Sequence, residues 1–287
     1  MTGSPARACW AAAEPFAVAA FFSPEARAAM RDAGLPSISS YVVLRAAPLG
    51  ATHPAVVTAV FRSFPRSTFD ILPVAWTRLS PEDAVRRTHE VVTAWCEAAF
   101  PDRPAPVRAA DELAALVATV DTPGRPLAAA NQAVEPPAEP WARLWRALTV
   151  LREHRGDAHV AALVAADLGL VESEVLTAAW AGDRVDVAML RRTRRIDDAA
   201  WTAGAAALTA RGLITDRGEL TATGRALRSE VEDATDRASA APYRALGAAG
   251  TRRLWSVAAD LSRALIEGGR IPAVTPVGAP WPPPPPP

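Results

Sequence analysis

Ser23-Pro24-Glu25 and Ser80-Pro81-Glu82-Asp83 each set a hydroxyl, a proline and a carboxylate in the order that opens an α-helix. The serine oxygen accepts from an otherwise orphaned amide. Proline fixes φ where its missing N–H costs nothing, and the acid meets the positive end of the helix dipole. The stops are as plain: Gly34-Leu35-Pro36, Pro48-Leu49-Gly50 and the three prolines within residues 101–106. Between starts and stops lie alanine-rich stretches with apolar residues at helical spacing, and strand-favouring runs are few. Such a chain is expected to be mostly α. Half of its 287 residues are apolar, enough to bury a sizeable core in one large helical body or two smaller ones.

In chain order, residues 1–15 read as a loose lead-in and residues 16–105 as an N-terminal helical domain. Its helices are expected from Ser23 and over 41–47, 55–64, 67–76 and 81–100. Residues 106–140 read as a connector, with one helix over 111–120 and a proline-rich run containing Arg125 and Asn131. A helix from Pro140 carries Trp141, Leu144, Trp145, Leu148 and Leu151 on one stripe, the pattern of core packing. Gly156 is expected to end it, with Asp157 as N-cap of a helix over 158–168. Helices over 172–181 and 197–211 follow.

Residues 213–221, Leu-Ile-Thr-Asp-Arg-Gly-Glu-Leu-Thr, have β-formers on both sides of a tight turn and read as a short β-hairpin. A long helix over 225–240 comes next. This order is that of a winged helix-turn-helix, with the hairpin as the wing. It places a winged-helix domain at 141–225, C-terminal helices at 226–270 closing the core, and a disordered, proline-rich tail at 271–287. His53-Pro-Ala and His159-Val-Ala, each with Ala-Trp about twenty residues on, form a weak internal echo.

Several runs, Arg45-Ala-Ala-Pro-Leu-Gly, Val57-Thr-Ala-Val-Phe, Gly124-Arg-Pro-Leu-Ala-Ala-Ala-Asn, Leu151-Arg-Glu-His-Arg-Gly-Asp-Ala-His-Val-Ala-Ala-Leu and Arg211-Gly-Leu, resemble an actinobacterial family of helix-turn-helix proteins of largely unassigned function. The likeness covers about residues 22–272. It implies one integrated helical protein with a winged helix rather than a detachable DNA-binding domain, and brings no settled reaction or ligand. Two positions depart from the family pattern: Arg62-Ser63-Phe64 stands where an aromatic-Asn-Phe is expected, and Arg194-Arg195-Ile196 where an Arg-Gly-Trp is expected.

Charge and cysteine usage narrow the classes. All 31 basic residues are arginine, balanced by 31 acids, which argues against a nonspecific polyanion binder. Cys9 and Cys96 lie far apart without metal-site spacing, which leaves one incidental bridge or two reduced core thiols, the second preferred. The apolar run 16–22 is too short for a membrane span, no signal peptide is visible, and a cytoplasmic protein is expected. No dinucleotide fingerprint, phosphate loop or nucleophile elbow occurs, so no cofactor is expected. His154, Asp157 and His159 lack a standard metal spacing, and no metal is expected either.

Two functions remain in competition. A DNA reader would use the helix over 197–211, Arg191, Arg192, Arg194 and Arg195 on phosphates, and Arg217 at the wing tip. That helix opens with Asp197 and Asp198, the wrong sign for phosphate. A small-molecule site would use the polar knot around 152–159, with Arg184 across a turn. There His159, Asp157 and Glu153 are candidate acid–base catalysts, and Arg45, Arg125, Asn131, Arg152, His154 and Arg155 candidate ligands for an anion.

The preferred expectation is a repurposed winged-helix scaffold that binds a small anionic molecule, with cofactor-free acid–base, elimination or cyclisation chemistry of specialised metabolism as its extension. A ligand-responsive DNA-binding regulator comes second. A structural or partner-binding protein comes third, and a homodimer through the terminal helices is compatible with any of them.

Overall fold

Ser4-Pro5 repeats the serine-proline opening of the two later helices, and a helix follows there too. In the computed structural model, which describes residues 4–274 and 276–286, α1 (Pro5–Ala19) is not a loose lead-in. Ala6, Cys9, Ala12 and Phe16 lie almost wholly buried. The correction has a simple cause: alanines let this helix approach its neighbours closely, so a segment without a strong apolar stripe becomes a central core element.

α2 (Pro24–Asp32), α3 (Ser40–Ala46), α4 (Pro54–Phe61), α5 (Leu72–Arg78) and α6 (Pro81–Ala99) complete the first half. The expected caps form: Ser23 Oγ accepts from Ala26 N–H and Ser80 Oγ from Asp83 N–H, both at 3.0 Å. α7 (Val107–Ala118) and α8 (Pro126–Ala133) lead to α9 (Pro140–Ala165), the spine of the molecule. α10 (Leu170–Ala181), α11 (Val187–Arg194), α12 (Asp198–Ala210), α13 (Ala222–Ser239) and α14 (Ala241–Glu267) follow, with α14 kinked at Gly247. The protein is mostly α. No helix of the described residues is long and apolar enough to cross a membrane.

There are two main cores. The larger gathers Phe16, Leu44, Leu72, Trp95, Leu144, Leu148 and Leu261, and Trp145 donates its indole N–H to Ala17 O at 2.9 Å. The smaller holds Leu163, Leu176, Leu208, Ile214 and Val231. α9 runs from one core into the other without a break. Gly156 does not end it, and Asp157 lies inside it rather than capping a separate helix. An interior glycine costs roughly 1 kcal/mol of helix stability, too little to interrupt a helix anchored by buried side chains on both sides of it.

The expected wing is corrected as well. Among the described residues no strand forms, and residues 213–221 keep one antiparallel bridge, Ile214 to Leu220. The segment is too short for a ladder: Leu213 and Ile214 are drawn into the smaller core, and Thr221 already caps α13, accepting from Gly224 N–H at 3.0 Å. The turn lies so close to α13 that a Cβ on Gly224 would come within 2.0 Å of Leu213 O, which requires glycine there.

Candidate functional site: a cavity between two cores

Where α9 passes between the cores, its side chains change from apolar to charged. Glu153, 1% exposed, accepts from Arg45 Nε at 2.9 Å and Nη2 at 2.7 Å, and from Arg152 Nη1 at 2.8 Å. Arg152 also reaches both oxygens of Glu14 on α1, at 2.8 and 2.9 Å. Burial alone would push the Glu153 carboxyl up; Arg45 and Arg152 outweigh it and hold the pKa at about 2.

One turn further along, Arg155 donates to Glu232 on α13 at 2.8 Å, and Arg228 donates to the same carboxylate at 2.5 Å. Glu232 is held at about 2 for the same reason, burial being outweighed by Arg155 and Arg228. Arg7 of α1 reaches Asp236 at 2.7 Å.

These networks wall a cavity of about 350 Å3. Aromatic rings complete the wall, several under guanidinium groups: Arg45 lies 4.3 Å from the Phe61 ring, Arg155 4.5 Å from Trp10 and Arg194 4.4 Å from Phe64. His159 Nδ1 sits 3.1 Å from Thr235 Oγ1. That hydroxyl already donates to Val231 O at 2.7 Å, so it accepts from Nδ1–H and leaves Nε2 as an acceptor. Burial pushes the His159 pKa down to about 3, Glu232 opposing and Arg155 and Arg228 adding to the shift. The imidazole is therefore neutral at pH 7.

The cavity gathers Arg45, Arg152, Glu153, Arg155, His159 and Arg184 from the residues that the sequence nominates for a small-molecule site. The others face elsewhere. Asp157 accepts from Ala128 N–H on α8 at 2.9 Å, and burial pushes its carboxyl up to about 7. Arg125 donates to His154 O and Ala238 O, each at 2.7 Å. Asn131 donates to Leu127 O at 2.9 Å, and His154 is buried with its pKa pushed down to about 4 by burial and Arg125. None of these four lines the cavity. The His53 and His159 echo also dissolves: His53 caps α4, whereas His159 lies inside α9.

The arginines nominated for DNA are dispersed. Arg194 points inward, 3.5 Å from Glu174, and is a cavity residue. Arg191 pairs with Asp198 and lies over Trp201. Arg195 donates to Ser67 O at 3.3 Å, while Arg192 and Arg217 are exposed. The open face of α12 presents Asp198, Ala199, Thr202, Ala203 and Ala206, without a base.

Sequence reasoning missed Arg7, Trp10 and Glu14 on α1, and Trp180 and Arg228. The signal for the first three was Ser4-Pro5, and for Arg228 its i,i+4 spacing to Glu232. Both departures from the family pattern fall on the wall, at Ser63 and Phe64 and at Arg194. Neither a comparison with curated proteins nor one with solved structures gave a match. Residues 6–272, which span both cores and every wall of the cavity except the last few residues of its rim, match the family model described as Helix-turn-helix family, and the chain belongs to that family.

Proposed function

We propose that this helix-turn-helix protein binds a small anionic molecule with an apolar, aromatic-compatible body in the cavity between its cores. The observation that carries the reading is the composition of that wall. Seven arginines face it against four glutamates, with Asp233 and Asp236 paired to Arg7 behind the wall, which leaves a formal excess of one positive charge, interleaved with Trp10, Tyr41, Phe61, Phe64 and Trp180. A concave site of a few hundred Å3, apolar with a few fixed polar groups, is the usual form of a ligand pocket.

Binding is favoured over acid–base catalysis. Glu153 is locked as a carboxylate between two arginines, His159 is a weak base, and Asp157, the group tuned near neutrality, faces α8 instead of the cavity. The second reading, a ligand-responsive DNA-binding regulator, is favoured by the family itself. Arg192 and Arg217 would then be its phosphate contacts.

Thermal unfolding with a panel of aromatic carboxylates separates these readings. At least one compound is expected to raise Tm by about 2 °C or more at saturating concentration. Val160→Trp, which fills the cavity, should abolish that rise. If no compound stabilises the protein, and it instead binds random duplex DNA in a salt-sensitive way that Arg192→Ala/Arg217→Ala removes, the regulator reading replaces this one.

A further inference from the structure

Six of the seven arginines on the cavity wall have a carboxylate within ion-pair distance. Arg45 and Arg152 share Glu153, with Glu14 beyond; Arg155 and Arg228 share Glu232; Arg7 reaches Asp233 and Asp236, and Arg194 reaches Glu174. Six guanidinium groups thus face six carboxylates. Among the described residues Arg184 is the exception. It donates only to backbone carbonyls, those of Ala181 at 3.2 Å, Trp180 at 3.3 Å and Gly278 at 3.4 Å.

Its guanidinium lies 4.2 Å from the Trp180 ring, and Arg228 lies 4.3 Å from the same ring. Two cations therefore share one aromatic platform while only one of them has a counter-ion. Burial and the nearby Arg228 both disfavour the charged form of Arg184.

The Gly278 carbonyl belongs to a strap across the cavity rim. Pro276, Val277 and Pro280 line the cavity from this side, and Ala279 and Pro283 are buried, although sequence suggested a solvated tail. At Gly278, φ is +63° and a Cβ would come within 2.9 Å of Val185 and 3.1 Å of Ala181, so the strap seats here only as glycine. Its hold on Arg184 is one long, neutral hydrogen bond.

We propose that Arg184 is the anion-recognising residue of the cavity. The ligand is a monoanion with a planar carboxylate that replaces the Gly278 carbonyl on Arg184, so that binding loosens the strap from residue 276 to residue 280. This rests on the ligand-binding reading above. The stoichiometry sets the charge, since one uncompensated guanidinium needs one anion. The fork of donors favours a planar carboxylate, and Trp180 offers a face to a flat apolar body.

The test uses 2-naphthoate and its neutral counterpart 2-naphthamide, titrated into the full-length protein by calorimetry, in the wild type and in Arg184→Gln. A charge-assisted hydrogen bond to a partly desolvated arginine is worth about tenfold or more in affinity. The wild type should therefore prefer naphthoate by about tenfold, and Arg184→Gln should bring the two compounds within about twofold while naphthamide binds as before. Retained naphthamide binding also shows that the variant is folded.

Amide hydrogen exchange of the wild type gives an independent readout: naphthoate, and not naphthamide, should speed exchange in the strap. Equal wild-type affinities, a preference that survives in Arg184→Gln, or strap exchange unchanged with naphthoate bound would each overturn the assignment while leaving the cavity a binding site. If neither compound binds the wild type, the binding reading falls and takes this inference with it.

Discussion

Along α9, the stretch from Trp141 to Leu151 and the stretch from Arg152 to His159 are equally regular helix, yet different forces hold them. The first is set into the larger core by Leu144, Leu148 and Leu151 against Phe16 and Trp95. Apolar burial is non-directional, so these positions need partners of roughly the right volume and nothing more. The second stretch is buried just as deeply, with Glu153, Arg155 and Asp157 at 5% exposure or less. There Arg152, Glu153 and Arg155 each meet an opposite charge drawn from α1, α3 and α13, and Asp157 meets a backbone amide of α8. Desolvated charges cannot be pressed together as leucines can, because closing the gap would strip their remaining hydration. The contrast explains where the cavity lies: the cores collapse on either side, and the charged layer between them stays open.

The largest effect comes from breaking the second stretch. Glu153→Ala leaves Arg45 and Arg152 facing each other without the carboxylate they share, and removing one side of a buried pair typically costs about 3–5 kcal/mol. Leu148→Ala, in the first stretch, deletes apolar volume from a closed core at a cost of about 3 kcal/mol. Urea unfolding of the two variants ranks the forces directly. If Leu148→Ala proved the more damaging, the charged layer would be adaptable, and its ion pairs would not be what keeps the cores apart.

The same division decides what could be read from sequence. The apolar stripe Trp141–Leu151 and the Ser23 and Ser80 caps were legible, because each is a local pattern with a local physical cause. Arg152, Glu153, Arg155 and His159 could be nominated as a polar knot, but their partners lie 77 to 138 residues away for Arg155–Glu232 and Arg152–Glu14. No spacing rule reaches that far. Gly156 misleads for a related reason: its propensity marks a helix stop, and the tertiary anchoring that overrides propensity is invisible locally. The wing failed on length, since β-formers on two flanks do not say that both will be drawn into a core. Arg7, Trp10 and Glu14 were lost with α1, whose alanines gave no stripe to follow.

A smaller effect sharpens the comparison through pH. Burial lowers the pKa of His89 and His154 from 6.5 to about 4 and that of His159 from 6.5 to about 3. The unfolded chain takes up these protons below 6.5 and the folded chain does not, so stability falls as pH drops from 6.5 toward 4. Asp157 acts in the opposite sense. Its folded pKa is raised from 3.8 to about 7, mainly by burial, so the stability it contributes is lost as pH rises across that window. Three groups outvote one, and net stability should climb between about pH 4 and 6.5. Asp157→Asn can still accept from Ala128 N–H and carries no proton to lose. It should steepen that climb and gain about 1–2 kcal/mol at neutral pH, read from Tm across the range. A loss of stability at pH 7 would show instead that the ionised carboxylate is needed beside Arg125.

The smallest effect is at Gly156, in the charged stretch itself. Its backbone is helical, and an added Cβ would meet only Glu153 Oε2 at 3.5 Å, an ordinary contact. Gly156→Ala therefore gains helix propensity with no clash to offset it, and stability should rise by about 0.5–1 kcal/mol. Gly156 also lines the cavity, so the methyl group takes space from a ligand. A stabilised protein that binds 2-naphthoate more weakly than the wild type would identify the glycine as a place where helix stability has been given up for room beside the charged wall. Unchanged affinity would mean that the ligand sits toward Trp180, clear of α9. A loss of stability would mean that the middle of α9 is less regular than its hydrogen bonds imply, and that the two stretches differ in backbone as well as in what packs against them.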